Sequence, residues 1–406
     1  MIFEKNKFLR KQFYKLGEEF RDMAFAFSLN ADQIIETIEE QLNNEIETHI
    51  IEQRTIGINE YRNGYYEKTI YTLNGKLPIK IPRLRGNNFA SKIINKYERC
   101  SKDFENLISL MLMSFLSYEQ IIDTMYGFTG IKIGHSIITR ISEKIKTKYE
   151  GMYDGPINDD VVALFIDASY HDVKRWYNPE TGEILNTYPN RSEKNKFIQK
   201  SYKQALYTAI TINENGYKEL VGLEVMDQES SETWSKFLNS LYERGLKNPA
   251  VVISDDFSGI NNVINSVFPN ALIQKCNFHK MMNFMNHVPT KERKEVRNDI
   301  KKIYEAENRN EADKAFVFVR NKYKDKYPRL IRILEKSLEE MTTFFKLPAS
   351  IRKYIYTNNI SEGFNSSFRK YVKEKCSHAN IRTFKIFAIV ASQRICRTWK
   401  TRQIKF

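Results

Sequence analysis

The sequence predicts an α/β core that is interrupted by an α-helical insertion and preceded by a helical and β-hairpin region. Apolar runs of strand length alternate with amphipathic stretches between residues 160 and 280, and residues 281–355 lose the strand signal in a Lys/Glu-rich helical pattern. Asn-Gly turns mark a hairpin nearer the N-terminus. The predicted domains are 1–55 (helical), 56–150 (hairpin plus helices), 160–280 with 356–406 (core) and 281–355 (insertion).

The composition narrows the class of protein. The 406 residues carry a formal net charge of +14, which favours a polyanionic partner such as nucleic acid. The four cysteines form no CxxC pair, so a reducing compartment and a cytoplasmic location are expected. The longest apolar run, residues 107–116, is too short to cross a bilayer. No membrane partner is therefore expected.

The N-terminal third contains two kinds of secondary-structure pattern, helical and β-hairpin. Ile34, Ile38 and Leu42 recur at helical spacing, whereas residues 61–89 contain β-rich runs separated by turns at Asn63-Gly64 and Asn74-Gly75. From residue 103 the period is helical again. A capping box of Ser117 with Gln120 opens one helix, 118–126, and a second covers 136–148. These two helices are either a helix-turn-helix DNA reader or a small helical packing unit.

The core elements follow in a recognisable order. Strands are predicted at 161–170, 203–212, 217–227, 250–255 and 271–276, with helices at 231–244 and 259–268. Three strands, helix, strand, helix, strand is a ribonuclease H-like order. The insertion helices are predicted at 291–308, 311–324 and 330–345, and two further helices follow residue 356.

Three carboxylates stand out against this framework. Asp167 and Asp255 each follow a buried apolar run and are predicted at the C-terminal ends of their strands, where α/β folds bind ligands. Glu362 lies on a polar helix face together with Asn358, Asn365 and Arg369. Three acids are what two Mg²⁺ ions need for phosphoryl transfer, and Arg369 is suited to hold a phosphate. Taken singly, each acid is more often a cap or a solvated side chain.

Six ordered motifs carry a resemblance to the mutator-type insertion-sequence transposases over residues 55–400. They are RNGYYEKTIYTLNGKLPIKIPRLRGNNF, LFIDASYHDVKR, ESSETWSKFLNSLYERGL, VVISDDFSGI, FPNALIQKCNFHKMMN and YTNNISEGFNSSFRK. The fourth departs from the family's SDG, because Asp256 stands where the family has Gly. The resemblance implies that Asp167, Asp255 and Glu362 are the catalytic and metal-binding acids of a DDE-type enzyme, with Asp255 preferred over Asp256.

The resemblance also implies the reaction and its partners. It implies Mg²⁺-dependent cleavage at the element ends, with Mn²⁺ as a substitute, and strand transfer by attack of a 3′-OH. The partners would be terminal inverted repeats, target DNA and a second protomer or larger assembly, at the nucleoid of a prokaryotic cell. Residues expected to contact DNA are Arg62, Arg83, Arg85, Lys280, Asn358, Asn365, Arg369 and Lys370.

Supporting roles are expected for Trp234, Cys276 and His279. Cys276 and His279 have half of a zinc-finger spacing, but no second pair completes it, so no zinc is expected. Trp234 lies on the apolar stripe of a helix, which favours a core role over stacking on a flipped base. The rival functions are a non-catalytic DNA-binding protein, which loss of an acid would favour, and a nuclease or resolvase without strand transfer.

Overall fold

The computed structural model describes residues 31–73, 75–85, 89–95, 98–185, 189–190, 192–375 and 380–404. Contacts divide the chain into two compact units, Met1–Lys148 and Tyr149–Phe406. The first 30 residues of the predicted helical region, Asn74 of the predicted turn and Cys376 lie outside the described residues. No helix in the described ranges is both long and apolar enough to span a membrane.

The first unit begins with a helix packed on a β-hairpin. Helix α1 (Ala31–Thr55) precedes the antiparallel strands β1 (Arg62–Thr72) and β2 (Gly75–Leu84). Leu77, Ile79 and Ile81 of β2 are buried and alternate with exposed Pro78 and Lys80, which is the period-two pattern of a half-buried strand. These apolar side chains form one cluster with Leu42 of α1, so the hairpin gains the packing partner that an isolated hairpin lacks.

Three helices complete the first unit. They are α2 (Lys102–Met113), α3 (Tyr118–Thr129) and α4 (His135–Tyr149). The predicted capping box of Ser117 and Gln120 is present, and Gly130 ends α3 with a φ of 67°, which an L side chain rarely adopts. Phe104, Ile121 and Ile138 belong to one buried cluster. The helices therefore pack as a small unit, and their contact with DNA stays a prediction.

The second unit is built on a mixed sheet. Its strands are β3 (Val161–Tyr177), β4 (Ile184–Leu185), β5 (Ile198–Asn213), β6 (Lys218–Met226), β7 (Val251–Ser254) and β8 (Leu272–Lys275). The order is β6-β5-β3-β7-β8, with β4 paired to β3. β5 pairs antiparallel with β3 and with β6, whereas β7 is parallel to both β3 and β8. The central strand is therefore β3.

Helices pack against this sheet. Helix α5 (Ser231–Glu243) and helix α6 (Ile260–Val267) cluster with Leu164 and Ile166 of β3. Burying a large apolar side chain such as Phe237 stabilises the fold by about 1.5–3 kcal/mol. Because side chains alternate along a strand, Phe165 and Asp167 point to the opposite face, where helix α12 (Asn359–Lys375) contacts β3.

Between β8 and α12 the chain is helical. This helical segment contains α7 (Asn277–Met285), α8 (Arg293–Tyr304), α9 (Arg309–Tyr323), α10 (Pro328–Thr342) and α11 (Ala349–Ile355). Helix α13 (Ile381–Cys396) follows α12 and contacts β6 and β3. The three helices predicted from residue 291 onward are present as α8, α9 and α10, with ends shifted by a few residues, as is usual for helix boundaries.

Candidate active site

Asp167 lies inside its strand, and the prediction that it ends the strand was wrong. β3 continues to Tyr177 because β5 pairs with it along nearly its whole length. The neighbour on the other side is much shorter, and its pairing with β3 stops at Phe165 opposite Ile253. Asp167 therefore lies two residues beyond the last parallel pair, at the edge where β7 ends.

The same register brings in Asp255. This residue lies two positions after Ile253, and it directly follows the last residue of β7. In two parallel strands, residues that lie the same number of positions beyond the last pair are side by side. Both acids line one cavity of about 300 Å³, together with Ser254, Phe257 and His279.

Asp167 is a buried acid with few compensating groups. It is 8% exposed, and Asn365 Nδ2 of α12 donates a hydrogen bond to its Oδ2 at 2.7 Å. The backbone N–H of Ala168 donates to its Oδ1 at 2.9 Å. Burial, followed by the nearby charge of Asp255, raises the pKa of Asp167 to about 7. A bound cation would therefore stabilise the charged form of this carboxylate.

Asp255 is held from three elements. His279 Nδ1, in the first turn of α7, lies 2.9 Å from Asp255 Oδ1. Asn358 Nδ2, just before α12, donates to the same oxygen at 3.3 Å. Lys275, at the end of β8, donates from its ammonium to the backbone carbonyl of Asp255 at 3.0 Å and to Ser254 Oγ at 3.1 Å. The contacts with Asp255 and Cys276 raise the pKa of His279 well above its ordinary value.

Glu362 completes the group from the first turn of α12. Its Oε1 accepts from Cys276 Sγ at 3.8 Å and lies 3.8 Å from His279 Nδ1. The same helix turns Asn365 toward Asp167, three residues further on. Helical spacing therefore explains why Glu362 and Asn365 lie on the same face of α12.

The neighbouring Asp256 has a different environment. Its carboxylate pairs with Lys280 Nζ at 2.9 Å, and the same ammonium pairs with Glu340 of α10 at 2.9 Å. This side chain is therefore engaged in an internal ion-pair network with the helical segment. Asp255, in contrast, faces His279 and Asn358, which supports it as the second acid of the site.

The donor set suits a hard divalent cation. Three carboxylates approach one edge of the sheet from β3, the end of β7 and α12, and carboxylate oxygens are the ligands that Mg²⁺ prefers. Asp167 in particular is buried and receives hydrogen bonds from an amide and a backbone N–H, both neutral groups. The residues present therefore fit a Mg²⁺ or Mn²⁺ site.

A model of the Mutator family of transposases matches residues 21–182 and 195–393 of this chain. The chain belongs to this family.

Individual relatives agree with this assignment. The transposase shares 26% identity with the transposase for insertion sequence element ISRM5 of Rhizobium meliloti (strain 1021), over 76% of this chain and 72% of the relative. It also shares 26% identity with the transposase for insertion sequence element IS1201 of Lactobacillus helveticus, over 85% of this chain and 91% of the relative. The resemblance to insertion-sequence transposases is thereby confirmed.

Three residues expected at the DNA are directed inward instead. Asn358 and Asn365 are buried, and their amides contact Asp255 and Asp167. Lys280 is also buried, and its charge is neutralised by Asp256 and Glu340. The expectation of DNA contact is therefore corrected for these three side chains, because a buried polar group must find its partner inside the fold.

The other residues expected at the DNA have exposed positions. Arg369 and Lys370 are exposed on α12 of the second unit. In the first unit, Arg62 pairs with Glu47 at 2.6 Å, and the guanidinium of Arg83 lies 4.7 Å from the centre of the Tyr66 ring. Arg85 is exposed as well. Their contact with DNA stays a prediction.

Trp234 is a core residue. It is 3% exposed and stacks on Tyr207 with ring centres 4.0 Å apart, and its Nε1 donates to Glu229 Oε1 at 2.9 Å. The stripe on α5 had favoured this role. Sequence reasoning missed Glu229, which lines the cavity, and Lys275. The only signals were an acid just before α5 and a lysine at the end of an apolar strand.

Proposed function

We propose that this transposase is a DDE-type enzyme that cleaves DNA at the ends of its insertion sequence and joins them to a target by 3′-OH transesterification. The observation that carries the proposal is the register that sets Asp167 beside Asp255 at the end of β7, with Glu362 opposite on α12. The strand order supports a ribonuclease H-like core, and the helices between β8 and α12 are its insertion.

In each step an oxygen of water or of the 3′-OH attacks phosphorus. The new P–O bond forms as the bond to the leaving oxygen breaks, and the attacking hydroxyl loses its proton to solvent. Two divalent cations, Mg²⁺ or Mn²⁺, held by Asp167, Asp255 and Glu362, would supply activation of the attacking oxygen and stabilisation of the leaving one.

The chain's own groups orient these acids. Asn365 holds Asp167 by one amide hydrogen bond, and Asn358 holds Asp255. Lys275 ties the backbone that carries Asp255 to the end of β7. Arg369, exposed on the same helix as Glu362, would bind a phosphate of the DNA backbone.

Substitution of the acids tests the proposal. We expect Asp167→Ala, Asp255→Ala or Glu362→Ala to lower Mg²⁺-dependent nicking of terminal-repeat DNA by at least about 1000-fold, a loss of about 4 kcal/mol in transition-state stabilisation. Binding of the same DNA in a mobility-shift assay should change little. Normal nicking by Asp255→Ala, together with loss of nicking in a folded Asp256→Asn variant, would show that the second acid is misassigned.

The first unit is proposed to bind the element ends through its basic hairpin. We expect Arg83→Ala with Arg85→Ala to weaken end binding and to reduce the slope of log affinity against log salt by about 2, since two phosphate contacts are lost. Lys314→Ala with Lys301→Ala is a control that changes the net charge equally at exposed positions of α8 and α9. An equal loss in both double variants would contradict the assignment.

Paired ends require coordinated cleavage, so we propose that the transposase acts on DNA as a homodimer or a larger assembly. Light scattering of the complex with terminal-repeat DNA measures this directly. Full strand-transfer activity in a complex with one chain for two ends would contradict it. Nicking without any strand transfer would instead favour a nuclease or resolvase.

A further inference from the structure

A thiol and an imidazole lie beside the three acids, and the proposed reaction does not use them. Asp255, Cys276 and His279 each present one ligand atom, and these atoms all lie within 4.8 Å of one another. Glu362 Oε1 lies 3.8 Å from both Cys276 Sγ and His279 Nδ1. One oxygen, one nitrogen and one sulfur donor therefore converge, with a second oxygen next to them.

The separations are close to those of a zinc coordination shell. Zinc binds sulfur at about 2.3 Å and nitrogen or oxygen at about 2.0–2.2 Å, so ligand atoms at the corners of a tetrahedron lie roughly 3.3–3.8 Å apart. Here His279 Nδ1 is 2.9 Å from Asp255 Oδ1 and 3.8 Å from Glu362 Oε1. Side-chain adjustments of less than about 1 Å would close the shell.

The chemistry of the donors selects a different cation from the catalytic one. Mg²⁺ takes oxygen ligands, whereas thiolate and imidazole favour Zn²⁺ and other thiophilic ions. Cys276 directly precedes α7 and is 1% exposed. The backbone N–H of Asn358 donates to its Sγ at 3.2 Å, the kind of contact that orients a metal-bound thiolate.

We propose that Asp255, Cys276 and His279, with Glu362 as the fourth ligand, bind one thiophilic divalent cation, and that this binding inhibits the transposase. On binding, the thiol and the imidazole release their protons to solvent. The site rests on the donor geometry alone. Its inhibitory effect rests on the proposed function, because the same ion withdraws Asp255 and Glu362 from the Mg²⁺ that catalysis needs.

Sequence spacing does not reveal this site. Cys276 and His279 supply only half of a zinc-finger pattern, and the other two ligands come from the end of β7 and from α12. No zinc was expected because only ligand pairs that lie close together along the chain were considered. Tertiary structure supplies the two that are missing.

Binding is tested on the full-length protein without DNA. After removal of metal by a chelator, Cd²⁺ is added and the ultraviolet thiolate-to-cadmium charge-transfer band is followed, and Zn²⁺ affinity is measured by competition with a chromophoric chelator. We expect the band to saturate at one equivalent. Cys276→Ser should abolish it and weaken Zn²⁺ binding by at least about 100-fold, since loss of an outer partner alone costs 10–100-fold.

Cys396→Ser is the matched control, because Cys396 is a free cysteine outside this group of ligands. It should leave both the band and the Zn²⁺ affinity unchanged. Circular dichroism checks that both variants are folded. A band of full intensity in Cys276→Ser, or no saturable band in the natural protein, would overturn the proposal.

Inhibition is tested separately, by nicking of terminal-repeat DNA at fixed Mg²⁺. We expect Zn²⁺ to inhibit and excess Mg²⁺ to restore nicking, while Cys396→Ser is inhibited equally. Inhibition that excess Mg²⁺ does not relieve would overturn competition for the acids. A protein that binds one Cd²⁺ but never nicks contradicts the proposed function alone, and an active protein without the cadmium band contradicts this inference alone.

Discussion

Buried acids in the helical segment and buried acids at the sheet edge have opposite surroundings. Asp299 of α8 is 6% exposed and accepts hydrogen bonds from Lys302 at 2.8 Å, Lys322 at 2.7 Å and Tyr323 at 2.8 Å. Burial alone would raise the pKa of Asp299, but the hydrogen bonds from these three side chains lower it to about 2. Its negative charge is compensated within the fold.

Asp167 is buried to a similar degree, yet its hydrogen bonds come from the amide of Asn365 and a backbone N–H. Its nearest like charge, Asp255, adds to the effect of burial and raises its pKa. The chain therefore compensates the charge of Asp299, where this acid joins helices α8 and α9. It leaves Asp167 short of positive charge where a metal ion is expected to supply it.

The largest effect on stability is expected from Asp299→Asn. Removing a buried carboxylate that accepts charge-assisted hydrogen bonds should lower the free energy of unfolding by about 2–4 kcal/mol at pH 7. Because the folded pKa of Asp299 is depressed, this advantage is present above the unfolded value near 3.9 and is lost as the pH falls from about 4 through about 2. Urea unfolding measures both effects.

The control for that measurement is Asp325→Asn, since Asp325 is exposed and lies two residues after the end of α9. It should change the free energy of unfolding by less than about 0.5 kcal/mol. Equal unfolding midpoints for the Asp299 variant and the natural protein would show that the lysines do not compensate this acid.

A smaller effect of opposite sign is expected from Asp167→Asn. In the presence of a chelator, this variant should gain about 1–2 kcal/mol of stability, because it removes an under-compensated buried charge beside Asp255. Added Mg²⁺ should raise the melting temperature of the natural protein but not that of the variant, since a ligand stabilises only the state that binds it.

Asn365→Asp adds negative charge at the same site. It places a further carboxylate against Asp167 and should lower stability without metal, because like charges repel at close range. If Asp167→Asn were instead less stable than the natural protein in chelator, Asp167 would be as well compensated as Asp299.

The smallest effect is expected from an exposed pair. Lys314 Nζ lies 2.8 Å from Glu311 Oε1, and the two side chains are 74% and 50% exposed. Lys314→Ala should cost less than about 0.5 kcal/mol, since water already solvates both charges. A loss as large as that of Asp299→Asn would mean that burial does not distinguish the two kinds of pair.

Much of the secondary structure follows from the sequence alone. The capping box of Ser117 with Gln120, the apolar stripe of α5 and the short apolar runs of β7 and β8 are all patterns that a few neighbouring residues display. Six ordered motifs were enough to indicate the family. Short-range patterns suffice for these features because neighbours along the chain are also neighbours in space.

The length of β3 shows where local pattern fails. After Tyr170 the sequence HDVKRWY has no clear alternation of polar and apolar residues, so the local pattern does not separate a strand from a loop. Pairing with β5 decides that the strand continues to Tyr177. Asp167 consequently lies within the strand, and the end of β7 creates the edge that exposes it.

The side-chain partners at the site were decided only by the tertiary structure. Asn365 meets Asp167 across 198 residues, and Cys276 meets Glu362 across 86, because α12 packs against the sheet beside the ends of β7 and β8. The same packing turns Asn358 inward, and Asp256 with Glu340 holds Lys280 inside the fold, although their sequence motifs suggested contact with DNA. Residue types indicate which chemistry is available, but burial and long-range packing determine which charges are compensated inside the fold and which are left for a ligand.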